Sequence, residues 1–293
     1  MKNGSGNTLY EFFEEIYSGG AARSTVDAYR KDMAYFNKWY IDANGREPRP
    51  EDITSIDLRE YQGYMQNVQG LKPATVNRRL AALEKYIRWA HGKGCVERLP
   101  AFPKAIREQK APPKALDRVE QNRLLREAER RGKDRDIALI RLMMSCGLRV
   151  SEAVSVRLAD LDIGERHGTV TVRGKGNKYR EVPVPPEARR AIREWLEERA
   201  KRHPDSEWLF PNRKGGHITA RFAERVIKNI GKFAGLDIHP HVLRHTAATN
   251  MLRTGVDLVT VAQVLGHADL NTTAIYTKPD KRILAEALER GEM

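Results

Sequence analysis

Six side chains in the second half of the sequence are of the types that could break a phosphodiester bond without a metal ion. In such a reaction the non-bridging oxygens of the phosphate gain negative charge in the transition state, so fixed cations must face them. Arginine suits this task because its planar guanidinium matches a phosphate and stays charged. The reaction also needs a nucleophile in line with the leaving group and an acid for the departing alkoxide. The candidates are Arg149, Lys175, His241, Arg244, His267 and Tyr276.

The sequence around these candidates predicts the elements that carry them. Arg149 follows a glycine in SCGLRVSE, at the end of an apolar helix, and Lys175 lies on a predicted turn, GKGN. His241 and Arg244 are three residues apart in HVLRH, which places them on one helical face. His267 closes a short helix, VAQVLGH.

Taken singly, the candidates also have ordinary structural explanations. Lys175 could be a solvated loop lysine, and Lys178 is a rival for the same role. His267 could complement the dipole at a helix C-terminus. Tyr276, like Tyr179, could be a half-buried aromatic residue. The case for chemistry therefore depends on the whole set and on its order.

The motifs that carry the set resemble those of the tyrosine recombinase family, also called the phage integrase family. GLRVSE, GKGNKYREVPVP, HPHVLRHTAATNML and VAQVLGHADLNTTAIYT occur in the order and spacing of that family. The resemblance is strong over about residues 115–290, and the helical N-terminal part resembles the family's core-binding domain more loosely. Several motifs in register are more specific than any one of them.

This resemblance implies a role for each candidate. Arg149 and Arg244 would hold the scissile phosphate, and His241 would accept a proton or bind the phosphate. Lys175 would protonate the leaving 5′ oxygen. His267 would donate a hydrogen bond to the phosphate, and we expect it to be the most replaceable because some members of the family carry tryptophan there.

The nucleophile implied by the resemblance is Tyr276, which would form a 3′-phosphotyrosine. Glu152 matches the family's carboxylate and is expected to support the site without taking part in the chemistry. Because a phosphotyrosine conserves the bond, religation needs no ATP, and the sequence contains no GxxxxGK[ST] loop. It also contains no HExxH or CxxC motif, so we expect neither a metal nor another cofactor.

The elements that must position these residues are predicted to be mainly helical. Two alternating runs, Thr169–Arg173 and Arg180–Val184, flank the turn GKGN and predict an antiparallel hairpin. Helical periodicity governs the sequence before and after this hairpin. The predicted fold class is mainly α, with a helical N-terminal core-binding domain and an α-helical catalytic domain that holds a small antiparallel β-sheet.

We predict a helical, DNA-binding core-binding domain over residues 1–98, a linker over 99–114 and a catalytic domain over 115–293. The linker, LPAFPKAIREQKAPPK, is basic, holds four prolines and has no amphipathic period, which is typical of an extended connection. The first helix is expected at about residue 24, which leaves no room for an arm-binding domain. The chain is thus expected to be a simple recombinase of Xer-like or Cre-like type.

Positive charge is concentrated in one part of the chain, whose net charge is +13. Residues 71–114 hold 11 Lys or Arg against 3 acidic residues, a net of +8, whereas residues 1–70 hold 8 against 11, a net of −3. A basic helix followed by a basic segment favours a surface that follows phosphates, although a solvated helix face is the alternative. The predicted DNA-binding residues are Arg78, Arg79, Lys85, Arg88, Lys104 and Lys110.

Other features of the sequence narrow the setting and the partners. No apolar run reaches the roughly 18 residues that span a bilayer, and the N-terminus lacks the pattern of a signal peptide. We therefore expect a cytoplasmic protein without a membrane partner. The resemblance implies double-stranded DNA recombination sites as partners and a homotetramer on two sites that exchanges strands through a Holliday junction. A second recombinase or an activator could take part, and the role could be dimer resolution or the integration and excision of a mobile element.

Two alternatives from other classes remain open on the sequence. A type IB topoisomerase uses a similar site, but it relaxes supercoiled DNA without a specific sequence. A non-catalytic DNA-binding accessory factor would need no nucleophile at Tyr276.

Overall fold

The computed structural model describes residues 5–107, 114–174, 179–266 and 273. The chain divides into two compact units, Met1–Lys110 (unit 1) and Ala111–Met293 (unit 2). The domain boundaries at residues 98 and 114 stay predictions. Each unit has a hydrophobic core of its own.

Unit 1 is helical. Its α-helices are α1 (Ser5–Ser18), α2 (Arg23–Asn44), α3 (Ser55–Gly63) and α4 (Pro73–Gly92), and one π-helical turn, Tyr64–Val68, extends α3. Thr54 and Asp57 form a reciprocal capping box that starts α3, and a proline begins α4, where a missing N–H costs nothing. The apolar faces of these helices meet in a core rich in aromatic residues.

The helix α1 corrects the expectation that the first helix begins near residue 24. Phe12 and Phe13 on α1 are buried, and Phe12 packs edge-on against Tyr86 of α4 at 5.2 Å between ring centroids. A helix of this length is marginal alone and is stabilised here by packing of its apolar face. The contact with α4 lies far away in sequence, so local periodicity did not reveal it.

The first part of the predicted linker belongs to unit 1. Residues 99–107 adopt neither helix nor strand, as expected of an extended segment. Phe102 and Ile106 pack on the core of unit 1, and the Asn77 amide group both donates to the Ile106 carbonyl and accepts from its N–H. This stretch is therefore held by specific contacts, while residues 108–113 lie outside the described residues.

Unit 2 combines seven described α-helices with a small sheet. The helices are α5 (Arg118–Arg131), α6 (Asp134–Cys146), α7 (Val150–Val154), α8 (Pro186–Arg202), α9 (Ala220–Phe233), α10 (Pro240–Arg253) and α11 (Leu258–Leu265). Asp117 caps α5 in a capping box with Glu120, and Asp257 caps α11. The helices α6 and α10 contribute buried residues to the centre of this unit.

The sheet contains three antiparallel strands in chain order, β1 (Leu161–Ile163), β2 (Gly168–Arg173) and β3 (Tyr179–Pro183). The register of β2 and β3 runs from Thr169 opposite Pro183 to Arg173 opposite Tyr179, so the predicted hairpin is present. The short β1 was not predicted because three residues carry too little alternation to be recognised. A mainly α fold with a small antiparallel sheet is confirmed.

Candidate active site

A glycine at the end of α6 places Arg149 at the start of α7. Gly147 adopts φ 65°, a left-handed conformation that ends α6, and Arg149 then takes the extended N-cap position of α7. Glu152 is the third residue of α7, and its Oε2 accepts a hydrogen bond of 2.8 Å from the Arg149 backbone N–H. The spacing GLRVSE thus encodes a helix start at which an arginine and a carboxylate meet.

The carboxylate of Glu152 is the centre of an arginine cluster. It accepts hydrogen bonds from Arg149 Nη1 at 2.8 Å and from Arg180 Nη1 and Nη2 at 3.1 and 2.9 Å. Arg244 Nη1 lies 3.8 Å from Glu152 Oε2. Burial alone would raise the pKa of Glu152, but hydrogen bonds from the Arg180 guanidinium and from Arg149 hold this pKa below its ordinary value. Glu152 is therefore ionised at neutral pH and bonded to Arg149 and Arg180, and its supporting role in the site stays a prediction.

Arg244 is buried and bonded to the ends of two helices. Its Nη1 donates to the Gly147 carbonyl at 2.7 Å, and its Nη2 donates to the Leu265 carbonyl at 2.7 Å. These carbonyls belong to the C-terminal ends of α6 and α11, where helix carbonyls lack intrahelical donors. The guanidinium on α10 is thus fixed between α6 and α11.

Arg149 differs from Arg244 in exposure. The side chain of Arg149 is 36% exposed, whereas that of Arg244 is 5% exposed. Arg149 Nη2 also lies 3.4 Å from the carbonyl oxygen of Gly266, a long hydrogen bond. Arg149 is held on one side by Glu152 and remains accessible to an anion from solvent.

His241 lies on α10, one turn before Arg244, and has an exposed surface. Its pKa is lowered from the ordinary histidine value, first by the desolvation that its neighbours impose on the ring. The charges of His239, Arg244 and Arg149 lower this pKa further, whereas Glu224 acts in the opposite direction. His241 is consequently neutral near pH 7 and able to accept a proton.

Several predicted site residues lie outside the described residues. Lys175 and its rival Lys178 belong to the segment that joins β2 to β3, and His267 follows Gly266 directly in sequence. Tyr276 also lies outside the described ranges, as does Lys110. The structure therefore brings together Arg149, Glu152, His241 and Arg244, while the roles of all the candidates stay predictions.

Arg180 is a member of the cluster that reasoning from the sequence missed. The alternating run Arg180–Val184 predicts only that this residue belongs to a strand. The signal that could have revealed it is its place in the alternation of β3, where it shares a face with the buried Val182. A charged side chain on the inward face of a strand needs a partner of opposite charge, and Glu152 provides it.

The predicted DNA-binding residues of unit 1 differ in their surroundings. Lys85, Arg88 and Lys104 are exposed. Arg78 is half exposed and bonds to Asp32, whose side chain is 1% exposed. Arg79 is buried, with its guanidinium 3.9 Å from the centroid of the Tyr35 ring. Arg79 Nη1 also donates to Gln69 Oε1 at 3.2 Å.

A direct phosphate contact by Arg79 would require it to leave the Tyr35 ring and Gln69. Arg79 therefore differs from Lys85, Arg88 and Lys104, whose side chains already reach solvent. Within the described ranges, no group of three or more His, Cys, Asp or Glu side chains could hold a metal ion. Among those same residues, no helix is both long and apolar enough to cross a membrane.

Both units match known protein families. Residues 114–282 match the phage integrase family, and residues 9–94 match the N-terminal SAM-like domain of phage integrases. The chain is similar to tyrosine recombinase XerC of Xanthomonas campestris pv. campestris, with 37% identity over 276 residues, which cover 90% of this chain and 81% of the relative. It is also similar to tyrosine recombinase XerD of Rhizobium meliloti, with 35% identity over 283 residues, covering 91% and 89%.

Solved structures agree with these sequence matches. The chain is similar to the XerH site-specific recombinase in a post-cleavage complex with palindromic difH substrate, with a TM-score of 0.79 and 26% identity. That match covers 97% of this chain and 84% of the other. The pre-cleavage complex of XerH with difH gives a TM-score of 0.75, also at 26% identity, and covers 98% and 85%.

Proposed function

The chain belongs to the phage integrase family of tyrosine recombinases, and we propose that it recombines specific DNA sites through a covalent bond between DNA and Tyr276. The observation that supports this proposal most is the cluster of Arg149, Arg244 and Glu152, in which two family arginines meet around one buried carboxylate. A cluster of that kind provides fixed positive charge for a phosphate in a partly dry site.

In the proposed cleavage step, Tyr276 attacks the scissile phosphorus and the 5′ oxygen departs. A tyrosine with a pKa of about 10 is almost wholly protonated at pH 7, so its ionisation costs roughly 4 kcal/mol. The positive charges of Arg149 and Arg244 offset this cost by stabilising the transition state, and the neutral ring of His241 accepts a proton. Lys175 donates a proton to the 5′ oxygen, and His267 donates a hydrogen bond to the phosphate.

Religation reverses the same step on a different strand. The phosphotyrosine keeps the energy of the phosphodiester bond, so a free 5′ hydroxyl can attack it without ATP. Glu152 stays ionised throughout and orients Arg149 by accepting hydrogen bonds from the Arg149 guanidinium and from the Arg149 backbone N–H. Glu152 is therefore a positioning residue in this mechanism.

The partners that we propose are two DNA recombination sites and three further copies of this chain. Four protomers on two sites would exchange strands in pairs through a Holliday junction. The XerH complexes with difH substrate support a DNA partner of defined sequence. The similarity to these site-specific recombinase complexes also favours recombination over relaxation of any supercoiled DNA and over a non-catalytic accessory role. We further propose action in the cytoplasm, where the bacteria that carry the similar Xer recombinases keep their DNA.

A nicked suicide substrate tests the proposed function. The target site is found first by selecting bound duplexes from a random pool, and a nick beside the cleavage position then lets a short fragment escape and traps the adduct. We expect a slow band on a denaturing protein gel for the wild type and for Tyr179→Phe, and none for Tyr276→Phe. Tight DNA binding by the wild type without any adduct would contradict the proposal.

A further inference from the structure

Arg180 bonds to two other elements from its place on β3. Its Nη1 and Nη2 form a bidentate pair with Glu152 at the start of α7, at 3.1 and 2.9 Å. Its Nε donates at 2.9 Å to the carbonyl of Val264 in the last turn of α11. The side chain is 15% exposed, so these bonds lie largely out of water. One guanidinium therefore joins β3, α7 and α11.

The turn that ends α11 also rests on this guanidinium. Gly266 adopts φ 67°, and a Cβ added there would lie 2.8 Å from Arg180 Nη1. The carbonyl of Leu265, the neighbour of Gly266, accepts from Arg244, and that of Gly266 accepts the longer bond of 3.4 Å from Arg149, so three arginines bond to this turn. A shift of Arg180 would therefore change both the position of this turn and the acceptor of Arg244.

The two elements that Arg180 joins, β3 and α11, are next in sequence to the predicted catalytic residues. Five residues, 174–178, join Arg173 to Tyr179 and include Lys175, and β3 follows them directly. The end of α11 leads to His267 and then to Tyr276. Arg180 thus lies where the strand that follows the lysine meets the helix that precedes the histidine and the tyrosine.

We propose that Arg180 is a positioning residue for strand cleavage. It fixes the position of the Glu152–Arg149 pair relative to the end of α11. This inference rests on the proposed function. In the proposed cleavage step, Arg180 touches no reacting atom. Its loss removes two of the hydrogen bonds that orient the Glu152 carboxylate and the bond that ties the end of α11 to β3. A resulting displacement of about 1 Å in a reacting group can cost roughly 100-fold in rate.

A purely structural role for Arg180 makes a different prediction. In that case a substitution would lower the stability of unit 2 and would slow cleavage only as far as it unfolds the protein. Arg189 is a matched control because it is also partly buried and bonded to neighbouring elements, donating to the carbonyls of Val184 and Glu165 at 3.0 and 3.2 Å. Within the described contacts, Arg189 has no bond to the arginine cluster.

The test compares Arg180→Gln and Arg180→Lys with Arg189→Gln and Arg189→Lys in the full chain. Single-turnover adduct formation is measured on the suicide substrate at saturating protein, and Kd is measured separately by fluorescence anisotropy. We expect Arg180→Gln to keep the wild-type Kd and to lose roughly 100-fold in cleavage rate. Arg180→Lys should lose less, because lysine keeps the charge without the bidentate geometry. Both Arg189 variants should cleave at the wild-type rate.

A double-mutant cycle with Glu152→Gln gives the second readout. If Arg180 acts through Glu152, the two substitutions together should slow cleavage by less than the product of their separate effects. Wild-type rates for Arg180→Gln, or equal losses for the Arg180 and Arg189 variants, would overturn the inference. If Arg180→Gln does not fold, Arg180→Lys carries the same comparison. Failure of the wild type to form an adduct would instead overturn the proposed function.

Discussion

Glu152 is a buried carboxylate whose ionised form is stabilised by the fold. Its side chain is 4% exposed, and it is paired with Arg149 and Arg180. Removing one partner of such a buried set leaves charges uncompensated, which typically costs about 3–5 kcal/mol. The interaction is therefore expected to matter for stability as well as for the placement of Arg149.

The lowered pKa of Glu152 predicts how this contribution varies with pH. A folded-state pKa below the ordinary value of about 4.3 stabilises the protein above that pH, and the contribution is lost as the pH falls through the folded-state pKa. We expect Glu152→Gln to lower the free energy of unfolding at pH 7, with a deficit relative to wild type that shrinks below about pH 4.3. Urea titrations at several pH values measure this deficit.

Glu127→Gln is the control for the Glu152 prediction. Glu127 is paired with Arg130 and Arg131 on the surface of α5, where ion pairs contribute little. A deficit for Glu152→Gln that is no larger than that of Glu127→Gln, or one that does not change with pH, would refute the assignment of Glu152 as an ionised anchor.

The choice between Lys175 and Lys178 is a question about the leaving group. A substrate with a bridging 5′ sulfur releases a thiolate. Because the corresponding thiol has a pKa of about 8.5, this thiolate can leave without being protonated, whereas an alkoxide needs an acid. We expect Lys175→Ala to cleave ordinary DNA slowly and the sulfur substrate at close to the wild-type rate. For Lys178→Ala, the cleavage rate relative to wild type should be the same on ordinary DNA and on the sulfur substrate. If the sulfur substrate restores cleavage by Lys178→Ala and not by Lys175→Ala, Lys178 is the general acid.

At the scale of elements, Gly147 controls how α6, α10 and α11 meet. It has φ 65°, and an added Cβ would lie 2.6 Å from Leu265 Cδ2 and 3.4 Å from Ala247 Cβ. Gly235 has a similar φ, 64°, with nothing within 4 Å of an added Cβ. Both alanine variants meet the left-handed strain of about 1–2 kcal/mol, and Gly147→Ala adds an overpacking cost of about 1–3 kcal/mol.

We therefore expect Gly147→Ala to be less stable than Gly235→Ala and also slower in cleavage, because the Gly147 carbonyl is an acceptor for Arg244. Thermal unfolding and single-turnover cleavage measure the two effects. Equal destabilisation by the two alanines would show that the contact with Leu265 does not constrain this junction.

Elements with a strong local pattern were predictable, and contacts between distant segments were not. The β2–β3 hairpin was predicted because its alternating runs and its turn are adjacent in sequence. Helix α1 was missed because its stability depends on Phe12 meeting α4. Arg180 was missed for the same reason, since its partners Glu152 and Val264 are remote in sequence. The roles of Arg149 and Arg244 could be inferred only through whole motifs.

At the scale of the whole molecule, the basic charge of residues 71–114 is the feature that bears on DNA binding. Lys85 and Arg88 on α4 are exposed, whereas Arg79 on the same helix is enclosed by unit 1. The helix therefore has two kinds of basic residue, one available to phosphates and one that binds Tyr35 and Gln69.

We expect Lys85→Gln and Arg88→Gln to weaken binding equally for specific and random duplexes, since phosphate contacts carry no sequence information. Each lost contact should reduce the slope of log K against log salt by about 0.9. Arg79→Gln should instead lower the stability of unit 1, and Lys201→Gln, an exposed lysine of α8, is the control for charge alone. Unchanged salt slopes for Lys85→Gln and Arg88→Gln would remove α4 from the predicted DNA-binding surface.

The central claim, that DNA becomes bonded to Tyr276, is tested most directly by locating the bond. Wild-type protein trapped on the suicide substrate is treated with nuclease and trypsin, and the peptides are analysed by mass spectrometry. Cleavage after Arg253 and after Lys281 releases residues 254–281, because Lys278 precedes proline. We predict a residual nucleotide on Tyr276 of this peptide. A nucleotide on any other residue, such as Tyr179, would contradict the account.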